Sequence, residues 1–191
     1  MTRKTLGFCY DTPMHSPRRS PKTSWEPVSS WYHRHLREED TLHAQVVHPG
    51  VLRLLEDASR GNHLDLACGD GLFLSKWSAR HKHAEALGID ASSSLIQAAK
   101  RRGLSNVEFV VRDAREALPS SIKNSMTSAS CLLALQNIDP MEGVFFAAAQ
   151  ALIPGGVFVF VLNHPAFRQP RQSGWGWDEG RKIQYRRVDR Y

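Results

Sequence analysis

The segment HLDLACGDGLF, residues 63–73, runs from an apolar stretch through a glycine turn into an amphipathic stretch. Strand, glycine turn and helix in that order is how a parallel sheet meets a nucleotide-like ligand. Gly69 and Gly71 have no β-carbon, so the backbone there can turn tightly and approach a ligand, while the following helix offers free amides. A plain structural turn is the competing reading. A dinucleotide fingerprint reads GxGxxG because a pyrophosphate lies on the helix N-terminus. Here Asp70 stands inside the turn, and Phe73 and Leu74 occupy the place of the third small residue. A carboxylate in the turn predicts repulsion of a pyrophosphate and tolerance of a cationic ligand.

Two further carboxylates fall at spacings that fit the same cleft. Asp90 closes ALGID nineteen residues after Gly71. An acid there can accept hydrogen bonds from both hydroxyls of a ribose. It could instead cap the next helix, although Ser92 or Ser93 could take that role. In VVRDARE (110–116), Asp113 and Ala114 end a third apolar run. An acceptor there can hold an adenine amino group, whereas an isolated Asp at a strand end is often a turn former. The base candidate is His164, beside Asn163 and just beyond the fifth apolar run; its competing role is to shape the turn before Pro165. Tyr32 and Trp31 could close over the ligand or pack into the core. The pairs His33/His35 and His81/His83 lack metal-ligand spacing, and no metal is expected.

The elements that must position these residues alternate. Strands are predicted at 63–68, 84–90, 107–113, within 126–135 and at 156–162, with helices at 72–82 and from about Ser93 to Arg102, where Gly103 ends the turn. Before the last strand, Asp139 is placed to cap a helix with Pro140 at its first position and Glu142 completing a capping box; IPGG (153–156) reads as the turn that ends it. Upstream, Val51, Leu54 and Leu55 stand at helical spacing between Pro49 and Gly61. This alternation predicts an α/β fold, a Rossmann-like, doubly wound, mostly parallel sheet. Residues 1–30 read as a flexible basic tail, 31–162 as the ligand-binding domain with N-terminal helices, and 163–191 as a segment on the substrate side.

Composition narrows the class. The formal net charge of +6 divides unevenly: residues 1–30 carry five basic and two acidic groups, 31–163 thirteen and fourteen, and 164–191 seven and three. Basic tails around a neutral middle are ordinarily solvated, so nucleic acid is not the expected partner. No apolar run approaches the ~20 residues that cross a bilayer. The N-terminus has no apolar stretch of signal-peptide length, which predicts a cytoplasmic location. Cys9, Cys68 and Cys131 form no CxxC pair and read as reduced thiols, two of them in the core.

Taken together, these residues resemble the class I S-adenosylmethionine-dependent methyltransferases, whose glycine motif is usually written DxGxGxG, over about 63–162. The resemblance implies S-adenosylmethionine as cofactor, with Asp65, Ala67, Gly69 and Gly71 as the methionine-side loop, Asp90 on the ribose, Asp113 and Ala114 at the adenine, Leu132 as a further contact and Tyr32 closing from the N-terminal helix. Ala67 departs from the family's glycine by one methyl. LALQNIDP together with NHPAFRQPRQSGWGW is similar to a bacterial subgroup acting on small molecules, and the fourth strand lacks the N/D-P-P-Y ending of enzymes that methylate amino groups of DNA bases or glutamine. A small-molecule acceptor is therefore expected. The alternatives are a cofactor-binding module without turnover and, less, a nicotinamide-dependent oxidoreductase. The resemblance also implies seven strands ordered 3-2-1-4-5-7-6, of which five can be counted. The last twenty-nine residues hold one strand candidate, KIQYRRV, and no hairpin. The chain thus reads as C-terminally truncated, with the fifth strand left at an edge that either KIQYRRV or a second copy covers.

Overall fold

The computed structural model describes residues 41–56, 61–163 and 173–188. Five strands, β1 (His63–Leu66), β2 (Ala86–Asp90), β3 (Val107–Val111), β4 (Met126–Leu132) and β5 (Leu152–Val161), form one sheet in the order β3-β2-β1-β4-β5, with every neighbouring pair parallel. This is the expected α/β architecture. Helices α1 (His48–Leu54), α2 (Leu72–Arg80), α3 (Ser93–Lys100) and α4 (Glu142–Ala151) connect and cover it, and a π-helical turn, His43–Val47, leads into α1. Among the described residues no helix is long and apolar enough to cross a membrane.

Parallel strands covered on both faces need apolar residues at successive positions. β1 has all four residues buried. On one face Leu64, Leu66, Leu87, Ile89, Ala129 and Cys131 pack against Val144, Ala147, Ala148 and Ala151 of α4. On the other, α1, α2 and α3 bring Val51, Leu55, Phe73, Leu74, Trp77 and Ile96 into a second cluster. Phe73 and Trp77, four apart on α2, lie among imidazoles: His48 is 5.7 Å from the Phe73 ring, His63 is 5.9 Å from Phe73 and 5.3 Å from Trp77, and His81 stacks on Trp77 at 4.5 Å. Gly88 lets α2 descend onto the sheet, because a β-carbon there would stand 2.7 Å from Leu74 Cδ1 and 2.8 Å from Phe109 Cδ1.

Several local expectations change. Leu54 faces solvent, and Leu52 takes its place in the core. The Asp139–Pro140 peptide is cis, and α4 begins two residues later, at Glu142, with no side-chain cap. IPGG is not a separate turn. β5 starts at Leu152, directly after α4, and residues 153–156 bulge within it, since Leu152 pairs with Met126 while Val157 pairs with Ser128 and Gly155 takes a left-handed φ of 81°. Cys68 and Cys131 are buried free thiols, as expected.

The C-terminal segment forms a hairpin of its own. β6 (Ser173–Asp178) and β7 (Ile183–Val188) pair antiparallel, so KIQYRRV joins SGWGWD and not β5. Gly176 makes room for the Tyr185 ring opposite it, and Arg186 sits 5.2 Å over the Trp175 ring. Both features depend on two-strand register, which periodicity within one strand does not carry. Among the described residues β5 is a sheet edge, with Val157, Phe160 and the following Leu162 exposed and the Phe145 ring of α4 lying 5.6 Å from that of Phe160.

Two outcomes follow. Gly88→Ala should over-pack the α2 contact and destabilise the fold by about 1–3 kcal/mol in a denaturant titration; an unchanged midpoint would mean that α2 does not rest on β2 as described. The bare β5 edge should draw copies together. Light scattering should show a dimer or larger species that Phe160→Lys reduces, whereas a wild-type monomer would contradict this.

Candidate functional site

All five strands are parallel, so their carboxyl ends share one edge, and there the chain makes its least ordinary turns. After β1 the backbone passes through left-handed conformations at Ala67, Gly69 and Gly71, with φ of 60°, 57° and 73°. An L-residue in that region carries a cost of roughly 1–2 kcal/mol, which explains why glycine suits the Ala67 position. A β-carbon at Gly71 would lie 2.7 Å from Phe109 Cζ, so that glycine is required for packing. A β-carbon at Gly69 would meet nothing within 4 Å. Its surroundings are open, as a backbone that receives a ligand must be.

Asp90 ties this loop to β2. Its Oδ2 accepts the Gly69 amide at 2.9 Å and its Oδ1 accepts the Ser92 amide at 2.8 Å. Ser92 is the N-cap of α3, accepting from the Leu95 amide at 3.3 Å, so Asp90 is not the cap. A carboxylate accepts at about four lone-pair positions, so holding the loop and holding a ribose are compatible duties. The next turn is attached to β2 through the backbone: the Arg112 amide donates to the Asp90 carbonyl at 2.9 Å, which sets Asp113 and Ala114 just beyond the end of β2. Leu132 ends β4 opposite Val161, and Leu133 follows with a left-handed φ of 55°.

Asp70 does not act as expected. Its carboxylate is about 1% exposed and paired with Arg102, whose Nη2 is 2.6 Å from Oδ2 and whose Nε donates to the Asp70 carbonyl at 2.7 Å. Oδ1 accepts the Leu72 amide at 3.2 Å, closing the first turn of α2. The charge that was to repel a pyrophosphate is thus neutralised inside the protein. What still departs from a dinucleotide loop is the third position, where Phe73 and Leu74 are core residues.

Arg115 is a second arginine that the sequence reading missed. It grips Asp113 with Nη2 at 2.6 Å and Nε at 3.0 Å, donates its backbone amide to the same carboxylate at 2.9 Å, and also reaches the Asp139 carbonyl. These bonds hold the Asp113 carboxyl below the usual carboxylate range. An Asp-x-Arg spacing was the available signal. For Arg102 the signal was weaker, since a buried Asp70 demands a cation but does not say whether Arg101 or Arg102 supplies it.

Asp65 is buried beneath the loop and accepts from Ser130 Oγ at 2.6 Å. Burial pushes its carboxyl up to about 7, helped by the nearby Asp90 and opposed by the Ser130 bond. Burial likewise raises both thiols, Cys68 well above its ordinary value and Cys131 to about 12, so neither is a nucleophile at neutral pH. The structure therefore gathers Asp65, Ala67, Gly69, Gly71, Asp90, Asp113, Ala114 and Leu132 at one edge. Tyr32 and His164 lie outside the described residues.

Known proteins resemble this chain in sequence and fold. Residues 64–156 match the family described as Methyltransferase domain. A curated relative, trans-aconitate 2-methyltransferase of Acidovorax sp. (strain JS42), is 26% identical over 161 residues, covering 79% of this chain and 57% of the relative. Among solved structures, an S-adenosylmethionine dependent methyltransferase from Mesorhizobium loti superposes with a TM-score of 0.64 at 27% identity, covering 80% of this chain and 66% of that one. The complex of DhpI with SAH superposes at 0.58 with 23% identity over 85% of this chain and 74% of that one, a likeness of fold. The chain thus spans under two thirds of the length of the first two. Residues 64–156 thus match a methyltransferase domain, and the five-stranded parallel sheet has the fold of the S-adenosylmethionine-dependent methyltransferase from Mesorhizobium loti.

Proposed function

We propose that this chain binds S-adenosylmethionine along the carboxyl edge of β1, β2 and β3 and directs its methyl group to a small-molecule acceptor. The observation that carries the reading is the open, left-handed Gly69 turn whose amide is held by Asp90. The relatives add to it, since the Mesorhizobium protein is named for the same cofactor and the Acidovorax protein as a trans-aconitate 2-methyltransferase.

Held at this edge, S-adenosylmethionine would supply an electrophilic methyl group on a sulfonium to the acceptor's lone pair, leaving a neutral thioether. The chain's own task is alignment and exclusion of water. Holding two reactants at near-attack distance contributes about 7–11 kcal/mol. In this assignment Ala67, Gly69 and Gly71 approach the methionine end, Asp90 accepts from the ribose hydroxyls, and Asp113 and Ala114 receive the adenine edge. Leu132 is assigned a further cofactor contact, and Tyr32 is assigned to close over the cofactor. His164 takes the acceptor's proton when the acceptor has one to lose. Each role is tied to a residue that a substitution can test.

Asp90→Ala should weaken S-adenosylmethionine binding by roughly ten- to a hundredfold in calorimetry, because a hydrogen bond to a charged group contributes about 1.5–3 kcal/mol. The same change frees the Gly69 and Ser92 amides, so Asp90→Asn, which keeps one acceptor oxygen, should lose less. Wild-type affinity in a folded Asp90→Ala protein would remove the ribose assignment. Formation of S-adenosylhomocysteine with a small-molecule extract tests turnover: binding without product would favour a cofactor-binding module, and no binding would sink the reading.

A further inference from the structure

Below the loop a polar chain runs from Asp65 to three side chains that have no assigned role, His63, Ser128 and Ser130. His63 and Asp65 on β1 stand opposite Ser128 and Ser130 on β4, and all four are buried. Ser130 Oγ is 2.9 Å from His63 Nε2, and His63 Nδ1 is 2.8 Å from Ser128 Oγ. With Ser130 also donating to Asp65, the side chains form one continuous line, Ser128, His63, Ser130, Asp65. Among the described residues no ion pair reaches Asp65. A buried carboxylate held by one hydroxyl is poorly compensated as an anion.

Counting protons gives the line a direction. With Asp65 ionised, the single Ser130 proton goes to the carboxylate, so His63 Nε2–H must donate to Ser130 Oγ and Nδ1 must accept from Ser128. With Asp65 protonated on Oδ1, the oxygen that faces Ser130, the carboxyl donates to Ser130 Oγ, Ser130 donates to Nε2, and the imidazole proton sits on Nδ1, donating to Ser128. The imidazole is neutral in both arrangements. Only the nitrogen that carries its proton differs.

We propose that His63 and Ser130 are positioning residues for Asp65, and that capture of the sulfonium-bearing methyl donor releases one proton from Asp65 and moves the His63 proton from Nδ1 to Nε2. The inference rests on the function proposed above. A cation arriving at the loop favours the ionised carboxylate, as any nearby opposite charge does. Asp65 is poised to respond, since burial holds its carboxyl near 7 and keeps the His63 ring neutral, with its value down at about 3. The other groups around the line leave this balance in place. Asp90 at the end of β2 opposes ionisation, Asp70 is neutralised by Arg102, the Cys68 and Cys131 thiols stay protonated, and His81 beyond α2 acts on His63 by lowering it further.

The test has one arm without ligand and one with it. Imidazole ¹⁵N NMR of the full chain, titrated from about pH 6 to 8, should show the His63 proton pass from Nδ1 to Nε2 as pH rises. Ser130→Thr, which keeps the hydroxyl, should retain the transition, and Ser130→Ala should abolish or displace it. Calorimetry with S-adenosylmethionine at about pH 7, in two buffers of different ionisation enthalpy, should detect release of roughly half a proton, with affinity rising up to about tenfold per pH unit below the midpoint and level above it. S-adenosylhomocysteine, which lacks the sulfonium charge, should release less, and Asp65→Asn should remove the effect. A His63 tautomer that stays fixed through the titration, or donor binding without proton release, overturns the proposal. Absence of any donor binding overturns the proposed function and this inference with it, while the ligand-free arm shows separately whether the proton line behaves as described.

Discussion

The chain leaving β1 has to reverse within a few residues while keeping its backbone open on one side, and a carboxylate from the neighbouring strand makes that possible. Ala67, Gly69 and Gly71 are all left-handed, and the Gly69 amide is held by Asp90 rather than by a partner within its own turn. For Asp90 to reach it, β2 must run level with β1, which the pairing of Leu66 with Ile89 achieves. For α2 to start directly after the turn, Phe109 must lie against Gly71 and Leu74 against Gly88. The second half of the turn depends on Arg102, brought back from the end of α3 to Asp70. The loop, the start of α2 and the ends of β2 and α3 are therefore one mechanical unit, preorganised before a ligand arrives, and preorganisation lowers the cost of binding.

Beneath that unit the core is less apolar than its position suggests, and this has opposite consequences at different pH. His63 and His48 are buried, and burial holds them down at about 3 and about 4 against an ordinary 6.5. Their contribution is complete above about 6.5 and is lost as pH falls towards the folded values, because the unfolded chain takes up protons that the folded one refuses. Asp65 behaves in the reverse sense: raised from 3.8 to about 7, it favours the folded state below its ordinary value, and that contribution disappears as pH rises through neutrality. Near neutral pH the histidines have given nearly all they contribute while Asp65 costs most, as expected of an acid retained for a reason other than stability.

Much of this was legible in the residues. Buried parallel strands leave near-continuous apolar runs, so β1, β2 and β3 were found within one or two residues of their ends, and the glycine turn and Asp90 stood out because few residue types can occupy such positions. Partners that come from distant sequence were not legible. Asp70 read as a charge facing a ligand because its cation lies thirty-two residues away, beyond two helices and a strand. His63 read as a strand residue because its hydroxyl partners are sixty-five and sixty-seven residues distant on β4. The β6–β7 hairpin escaped notice because Gly174 and Gly176 weaken the strand signal of SGWGWD, and only register with IQYRRV reveals it. The start of α4 was misplaced because Asp139 and Pro140 have the composition of a helix entrance but not its backbone.

The central claim is that the carboxyl edge around Gly69 and Asp90 is where S-adenosylmethionine or its product binds. Titrating S-adenosylhomocysteine into the ¹⁵N-labelled chain and following backbone amides tests it directly. The account predicts that the amides of Gly69, Gly71, Asp90 and Ala114 shift first and saturate together, while those of β6 and β7 move little. Shifts confined to the hairpin, or none at millimolar ligand, well above the typical affinities of cofactor sites, would contradict it.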